Sequence, residues 1–312
     1  MFEKVNIAEV SSRDGFQIIK QDIPTEKKIS YLNQLVDCGF AQIEVSSFVH
    51  PAAVPQLKDA QEVFREIKRQ NDVVYRALIP NLRGLDRAID VGVDKVKLML
   101  SATDAHSLHN ANATTFDAMR EFPTIYEKAS ETHIKVGGSI AVAFGCAYEG
   151  KVPIERHLKI CEEYDSIGIH DISLADTTGM GNPYLIKEVI TALKEAYPHF
   201  NFSLHLHNTR GMAFANAVAG YEVGIRDFDS SIGGIGGCPY LPLAAGNIST
   251  EDIVHGFEEM GIPTGVQLDK VIQIARQNQL DYPSYVNSFV MKAGTNKDLS
   301  IAPGKQVKKG NA

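Results

Sequence analysis

Two histidines one residue apart, His205-Leu206-His207, close an alternating run that begins at Phe202. On a strand, residues two apart share a face, so both imidazoles point the same way. Such a pair can hold one metal ion, whereas a lone histidine is more often a hydrogen-bonded structural residue. Arg13-Asp14-Gly15 follows the apolar run Val5–Val10. It reads as a solvated salt bridge or as a metal-binding carboxylate beside a charge-stabilising guanidinium. Glu44 lies inside the apolar segment Ile43-Glu44-Val45-Ser46. A buried carboxylate is costly unless paired, so Glu44 is expected to be a partner of Arg13 or an active-site acid. Asp176 ends the run Ile172–Ala175 before Thr177-Thr178-Gly179, where an acid is also a common turn residue. Gly233-Gly234-Ile235-Gly236-Gly237 leads into Cys238 and reads as a phosphate-binding loop or a lid carrying a reactive thiol. Asn247 is a turn or cap residue whose amide oxygen could ligate a metal.

These residues need elements to position them. Short β-rich runs alternate with longer amphipathic ones. The expected strands are Val5–Val10, Ala41–Ser46, Val73–Ile79, Lys95–Leu100, Lys135–Val142, Asp171–Leu174, Phe202–Leu206 and Asp227–Ser231. The expected helices are Thr25–Cys38, Pro55–Arg69, Leu82–Val91, Thr115–Thr132, Ile154–Ser166, Pro183–Ala196, Met212–Val223 and Thr250–Met260. Eight such pairs predict an α/β fold, a (β/α)8 TIM barrel, rather than a doubly wound sheet. Thr25-Glu26 and Ser249–Asp252 read as helix starts, with Glu251 and Asp252 favouring the dipole of a first turn. Gly39, Gly92, Gly168, Gly224 and Gly261 read as helix stops. One catalytic domain is expected over residues 1–312, with the barrel over about 5–262 and a C-terminal helical extension over about 263–312. That extension would include a helix at Val266–Gln277 and end in a polar, Lys-rich tail. In such barrels the chemistry sits where strands end and the following loops begin. Arg13, Asp14, Asp176, His205 and His207 all fall there.

The composition narrows the function. Among 312 residues, 31 Lys and Arg face 38 Asp and Glu, a net charge of −7. A general nucleic-acid binder needs a basic face, so that class is excluded, while a small pocket for one phosphorylated ligand is not. No apolar run approaches the roughly 18 residues of a membrane span. Cys38, Cys146, Cys161 and Cys238 are widely separated and form no C-x-x-C pair, which points to a reducing compartment, the cytoplasm.

The chain resembles the 3-hydroxy-3-methylglutaryl-CoA lyase family, within a wider group of barrel metallolyases and condensing synthases. The resemblance rests on Glu9-Val10 through Arg13-Asp14-Gly15-Phe16-Gln17, and on Ile43-Glu44-Val45-Ser46-Ser47-Phe48-Val49. It continues through Ser173-Leu174-Ala175-Asp176-Thr177, His205-Leu206-His207, Gly233–Tyr240 and Gly246-Asn247. It implies a divalent ion, Mg²⁺ or Mn²⁺ first and Zn²⁺ or Co²⁺ second, held by Asp14, His205, His207 and Asn247. It further implies an acyl-CoA substrate cleaved between C2 and C3 and a homo-oligomer. Arg13 would steady the enolate, Glu44 would orient Arg13, and Glu9 would support the site from behind. Asp176 or His205 would take the hydroxyl proton, and Cys238 would protonate the enolate carbon. The chain departs from the family at Asn208-Thr209-Arg210-Gly211, where Asp-Thr-Tyr-Gly is usual, so a related substrate such as citramalyl-CoA stays open.

Three other readings compete. The same metal site could run an acetyl-CoA condensation, which Cys238 and the lack of a long regulatory extension oppose. Lys95, Lys97 or Lys135 could form a Schiff base, Lys97 being the best placed of the three. A non-catalytic binding barrel would have no use for Arg13, Asp14, the histidine pair and Cys238 together.

Overall fold

Each β-rich run becomes a parallel strand: β1 (Asn6–Glu9), β2 (Gln42–Ser47), β3 (Val74–Ile79), β4 (Lys95–Ser101), β5 (Lys135–Ala141), β6 (Asp171–Asp176), β7 (Asn201–Leu206) and β8 (Asp227–Ser230). Neighbours pair in order and β8 returns to β1, closing a (β/α)8 TIM barrel. This is a computed structural model, and it describes residues 2–237 and 246–299.

The helices are α1 (Thr25–Leu35), α2 (Ala60–Glu66), α3 (Leu82–Asp90), α4 (Asp104–Ala111), α5 (Thr115–Ala118), α6 (Phe122–Ser130) and α7 (Ile154–Ile167). They continue as α8 (Pro183–Ala196), α9 (Ala213–Glu222), α10 (Thr250–Glu259), α11 (Leu268–Asp281), α12 (Phe289–Ala293) and α13 (Asn296–Leu299). Among the described residues no helix is long and apolar enough to cross a membrane.

Local chemistry accounts for most boundaries. Asn182 caps α8, its Oδ1 accepting the amides of Tyr184 and Leu185, with Pro183 at the first helical position. Ser249 caps α10 by accepting the Asp252 amide. All five glycines read as helix stops have positive φ. The long amphipathic pattern over 115–132 is broken into α5 and α6, because Pro123 fits only a helix's first turn. Thr25 does not cap α1. It lies inside the first turn and donates its hydroxyl to Asp59 at 2.8 Å. Helix α4 has no strong apolar stripe, so periodicity does not reveal it. It is held from outside, where the Asp104 carboxylate accepts the Thr115 amide at 2.9 Å and Arg156 at 2.7 Å.

The apolar core lies between the strands and the helices. Ile43, Val45, Leu98, Leu174, Leu204 and Leu206 are all buried in it. Beyond residue 262 the chain doubles back onto the barrel. The Val5 amide donates to Pro263 O at 3.0 Å and the Gln267 amide to Cys38 O at 2.8 Å. Helix α11 packs against the short turn Ile232–Gly234 that follows β8. The extension therefore backs one wall of the barrel mouth.

Gly39 sits at that junction with φ of +83°, and a Cβ there would lie 2.3 Å from Gly265 O. Backbone on both sides leaves nothing flexible to yield. Gly39→Ala is expected to destabilise the fold by about 2 kcal/mol or more. The check is urea unfolding, with a lower midpoint at unchanged slope; a wild-type midpoint would contradict it.

Candidate metal centre and active site

The lumen of a TIM barrel is ordinarily filled by branched apolar side chains. Here it holds charge. Glu44 on β2, Arg76 on β3, Lys97 on β4 and Asp229 on β8 are each at most 4% exposed. Strand register explains their contacts. Glu44 pairs directly with Arg76, and His205 with Asp229, on neighbouring strands. Arg76 donates from Nε to Glu44 Oε2 at 2.8 Å and from Nη2 to Asp229 Oδ1 at 2.6 Å. The other carboxylate oxygen of Asp229 is 3.2 Å from both Lys97 Nζ and His205 Nδ1. Glu44 Oε1 accepts Arg13 Nε. One connected chain of charge therefore runs from Arg13 to His205.

Burial by itself would raise Glu44, but Arg13 and then Arg76 outweigh it and hold the carboxyl at about 2. Asp229 is likewise held well below its ordinary value despite burial, chiefly by Arg76 and Lys97. Both are therefore anions at neutral pH, with Arg13, Arg76 and Lys97 as counter-charges.

At the end of this chain the ligand candidates converge. Asp14 lies in the tight turn Ser11–Gly15 after β1. Its Oδ1 accepts Arg13 Nη1 at 2.7 Å and Gln17 Nε2 at 2.9 Å. Its Oδ2 accepts Asn247 Nδ2 at 2.8 Å and is 3.8 Å from His205 Nε2. His205 Nε2 and His207 Nε2 are 3.2 Å apart. One ligand atom from each of Asp14, His205 and His207 lies within 4.8 Å of the others. Asn247 is drawn in by backbone pairing of its segment with the end of β7: it bridges His207, and the Ile248 amide donates to Leu206 O at 2.9 Å.

The donor set fits a divalent ion. Ligands on adjacent vertices of an octahedral ion, with bonds of about 2.1 Å, stand about 3 Å apart, close to the separation of the two Nε2 atoms. With Nδ1 held at Asp229, His205 Nε2 is the nitrogen that faces Asp14 and His207. Burial and the neighbouring His205 push His207 down to about 4, so it is neutral at physiological pH. Asp14 is held below its ordinary value against burial, mainly by Arg13. Asn247 Oδ1 is buried with no hydrogen-bond partner among the described residues. An unpaired amide oxygen beside a carboxylate and two imidazoles suits a cation's donor set.

The glycine segment closes over this group. A Cβ on Gly236 would lie 2.2 Å from Asn247 Nδ2 and 3.2 Å from Asp14 Oδ2. Only glycine allows the backbone that close. The segment is anchored from below by two acids. Glu9 accepts the amides of Ser11 and Ile232 at 2.9 and 3.0 Å and the Thr250 hydroxyl at 2.6 Å. Glu251 accepts the Gly233 amide at 2.9 Å. Glu251 lies in the first turn of α10, as expected from sequence, but it is fully buried there, and burial pushes its carboxyl up to about 8. Cys238 lies outside the described residues.

Asp176 ends β6 and is not one of the three residues whose ligand atoms converge. Ala175, not Asp176, pairs with His205, so Asp176 shares its face with Leu206. Both its carboxylate oxygens are 3.1 Å from the Gly181 amide, and burial raises it to about 6. It fixes the turn after β6. Arg210 bonds that same turn, donating from Nη1 to Thr178 O at 2.7 Å. Lys97 is occupied as a counter-charge of Asp229, and Lys95 pairs with Asp171 at 2.7 Å, which leaves the Schiff-base reading without a free amine on β4. Sequence reasoning missed Arg76 and Asp229. Arg76 is a charge within an apolar run, the same signal as Glu44, whereas Asp229 lies in the polar strand Asp227-Phe228-Asp229-Ser230 and carries no such signal.

Arg76→Met would leave Glu44 and Asp229 buried with a charge uncompensated. The expected loss is about 3–5 kcal/mol of stability, measured by urea unfolding. A loss under 1 kcal/mol, on the scale of a surface pair, would contradict the network.

The HMGL-like family profile matches residues 4–277. Hydroxymethylglutaryl-CoA lyase YngG of Bacillus subtilis is 40% identical over 274 residues, 88% of this chain and 92% of that protein. A (R)-citramalyl-CoA lyase of Chloroflexus aurantiacus is 37% identical over 280 residues, 86% and 88% of the two chains. The structure of an HMG-CoA lyase from Acinetobacter baumannii, in complex with coenzyme A and 3-methylmalate, superposes with a TM-score of 0.91 at 43% identity, covering 96% of this chain and 98% of that one. The chain belongs to the HMGL-like family.

Proposed function

We propose that this protein is a divalent-metal-dependent carbon–carbon lyase that cleaves 3-hydroxy-3-methylglutaryl-CoA to acetoacetate and acetyl-CoA. The observation that carries the reading is the convergence of Asp14, His205 and His207 beside a guanidinium locked in place, in a chain of this family. The bound coenzyme A of the Acinetobacter baumannii relative supports an acyl-CoA ligand. A cytoplasmic location and a homo-oligomeric assembly belong to the same reading.

Asp14, His205, His207 and Asn247 would hold the ion, with Mg²⁺ or Mn²⁺ best matched to mixed oxygen and nitrogen donors. When bound, it would polarise the substrate's hydroxyl and carboxylate oxygens as a Lewis acid. The hydroxyl proton would pass to the Asp176 carboxylate, the O–H electron pair would form the ketone of acetoacetate, and the C2–C3 pair would pass to the thioester as an enolate. Arg13 is built to meet that charge. Glu44 fixes its Nε and Asp14 its Nη1, while Nη2 has no hydrogen-bond partner among the described residues. A preorganised donor of this kind is worth most in a water-poor lumen. Cys238 follows directly on the glycines that pack against Asn247 and Asp14, and its thiol proton would go to the enolate carbon. A nitrogen bound to the ion has no lone pair left for a proton, so His205 Nε2 serves as ligand rather than base. Asp176, its carboxyl raised by burial to about 6, is then the candidate base.

A second reading has its own support. The Chloroflexus aurantiacus relative is a citramalyl-CoA lyase, and Arg210 stands where the lyase pattern has Tyr. The same metal and Arg13 would then cleave citramalyl-CoA.

The test is metal-stripped protein given Mg²⁺ or Mn²⁺ and each thioester in turn, with products quantified by mass spectrometry. Acetyl-CoA with acetoacetate is expected, and pyruvate from citramalyl-CoA would move the substrate. Cleavage of neither, by folded and metal-loaded protein, would overturn the reading. Arg13→Met should lower kcat by about 100-fold or more with metal content unchanged. His205→Asn should lose metal, whereas full metal with lost turnover would return it to the proton-transfer role.

A further inference from the structure

A second cluster of metal-ligating side chains lies at the opposite end of the barrel. Asp165 is in the last turn of α7, His170 immediately precedes β6, and His199 lies two residues before β7. All three therefore sit at the ends where strands begin, away from His205 and His207 at the finish of β7. His170 Nε2 and His199 Nε2 point at the same oxygen, Asp165 Oδ1, at 3.0 and 2.8 Å. One ligand atom from each of the three lies within 4.8 Å of the others.

The backbone sets this arrangement. Gly168, at φ of +95°, ends α7 and donates its amide to Asp165 O at 2.9 Å. The Asn201 amide donates to His170 O at 2.8 Å, which ties the two loops together. Phe200 walls one side, its ring 5.2 Å from that of His170 and 5.0 Å from that of His199. The three side chains are 37–49% exposed, which leaves water a place in the coordination sphere.

We propose that Asp165, His170 and His199 form a second divalent-metal site, selective for Zn²⁺ and similar transition ions. Two imidazoles and one carboxylate are the donors of three-ligand zinc sites, with water completing a tetrahedron. Mg²⁺ prefers oxygen donors and retains its waters, so this site discriminates against it. Asp165 supplies an anion, its carboxyl held below the ordinary value by the hydrogen bond from His199. A bound ion would pin the end of α7 to the starts of β6 and β7, the strands that carry Asp176 and the histidine pair. The role is that of a staple, independent of the proposed lyase chemistry.

The test uses the whole protein, stripped with a chelator and titrated with Zn²⁺ by calorimetry and with Co²⁺ by visible absorption. His207→Ala removes a ligand of the other site and should still bind one equivalent of Zn²⁺ that Mg²⁺ does not displace. Adding His199→Ala, a half-exposed position, should weaken that binding about tenfold or more, as loss of a metal-site group does. Zn²⁺ should raise the Tm of His207→Ala but not of the double variant. Absence of Zn²⁺ binding by His207→Ala would overturn the proposal. Equal binding with and without His199 would overturn it as well, leaving only a hydrogen-bonded histidine pair.

Discussion

Asp229 is the residue on which the interior turns. One buried carboxylate receives Arg76, Lys97 and His205, from three different strands. Without those partners an ion so placed would cost several kcal/mol. With them, the three cations Arg13, Arg76 and Lys97 balance the three anions Asp14, Glu44 and Asp229, and the lumen is neutral when His205 is. A neutral interior of opposed charges has few alternative arrangements, because moving any one member strands another. The lumen is thus fixed by electrostatics, and the stability of the fold comes from the apolar layer between strands and helices.

That division explains how the site is held before any substrate arrives. Glu44 takes Nε of Arg13 and cannot turn away, since Arg76 occupies its other oxygen. Asp229 takes Nδ1 of His205 and so sets which nitrogen faces Asp14 and His207. The charge-stabilising group and the metal-facing imidazole are aimed by the two ends of one network. The glycine segment comes down on the same point from above, and Glu9 and Glu251 hold its base from outside the lumen.

Much of this was legible in the residues. Alternating and helical periods marked all eight strands, because in a barrel the outer face of every strand is apolar and its helix carries a matching stripe. His205 and His207 declared themselves by their spacing, and Arg13, Asp14 and Glu44 by charge in or beside apolar runs. Helix α4 was invisible because tertiary bonds to Asp104, not an apolar stripe, hold it. Glu251 is a helix-start acid as its sequence says, but its burial is not legible, since sequence cannot show that α10 begins against the turn after β8. Asp176 lay at the right strand end. Its register with Leu206 and its hold on the Gly181 amide are tertiary facts that a strand-end rule does not supply. Arg76 needed only the rule already applied to Glu44, that a charge within an apolar strand has a partner, whereas Asp229 sits in a polar strand that the rule does not reach.

The central claim is that the lumen network presents a ready-made ion site at the end of β7. The most direct measurement is an anomalous difference map from crystals grown with Mn²⁺. The account predicts a strong peak bounded by Asp14, His205, His207 and Asn247, with Asn247 turned so that its oxygen faces the ion and His205 Nδ1 still on Asp229. An ion bound elsewhere in the barrel mouth, or a peak from which either histidine has swung away, would contradict it.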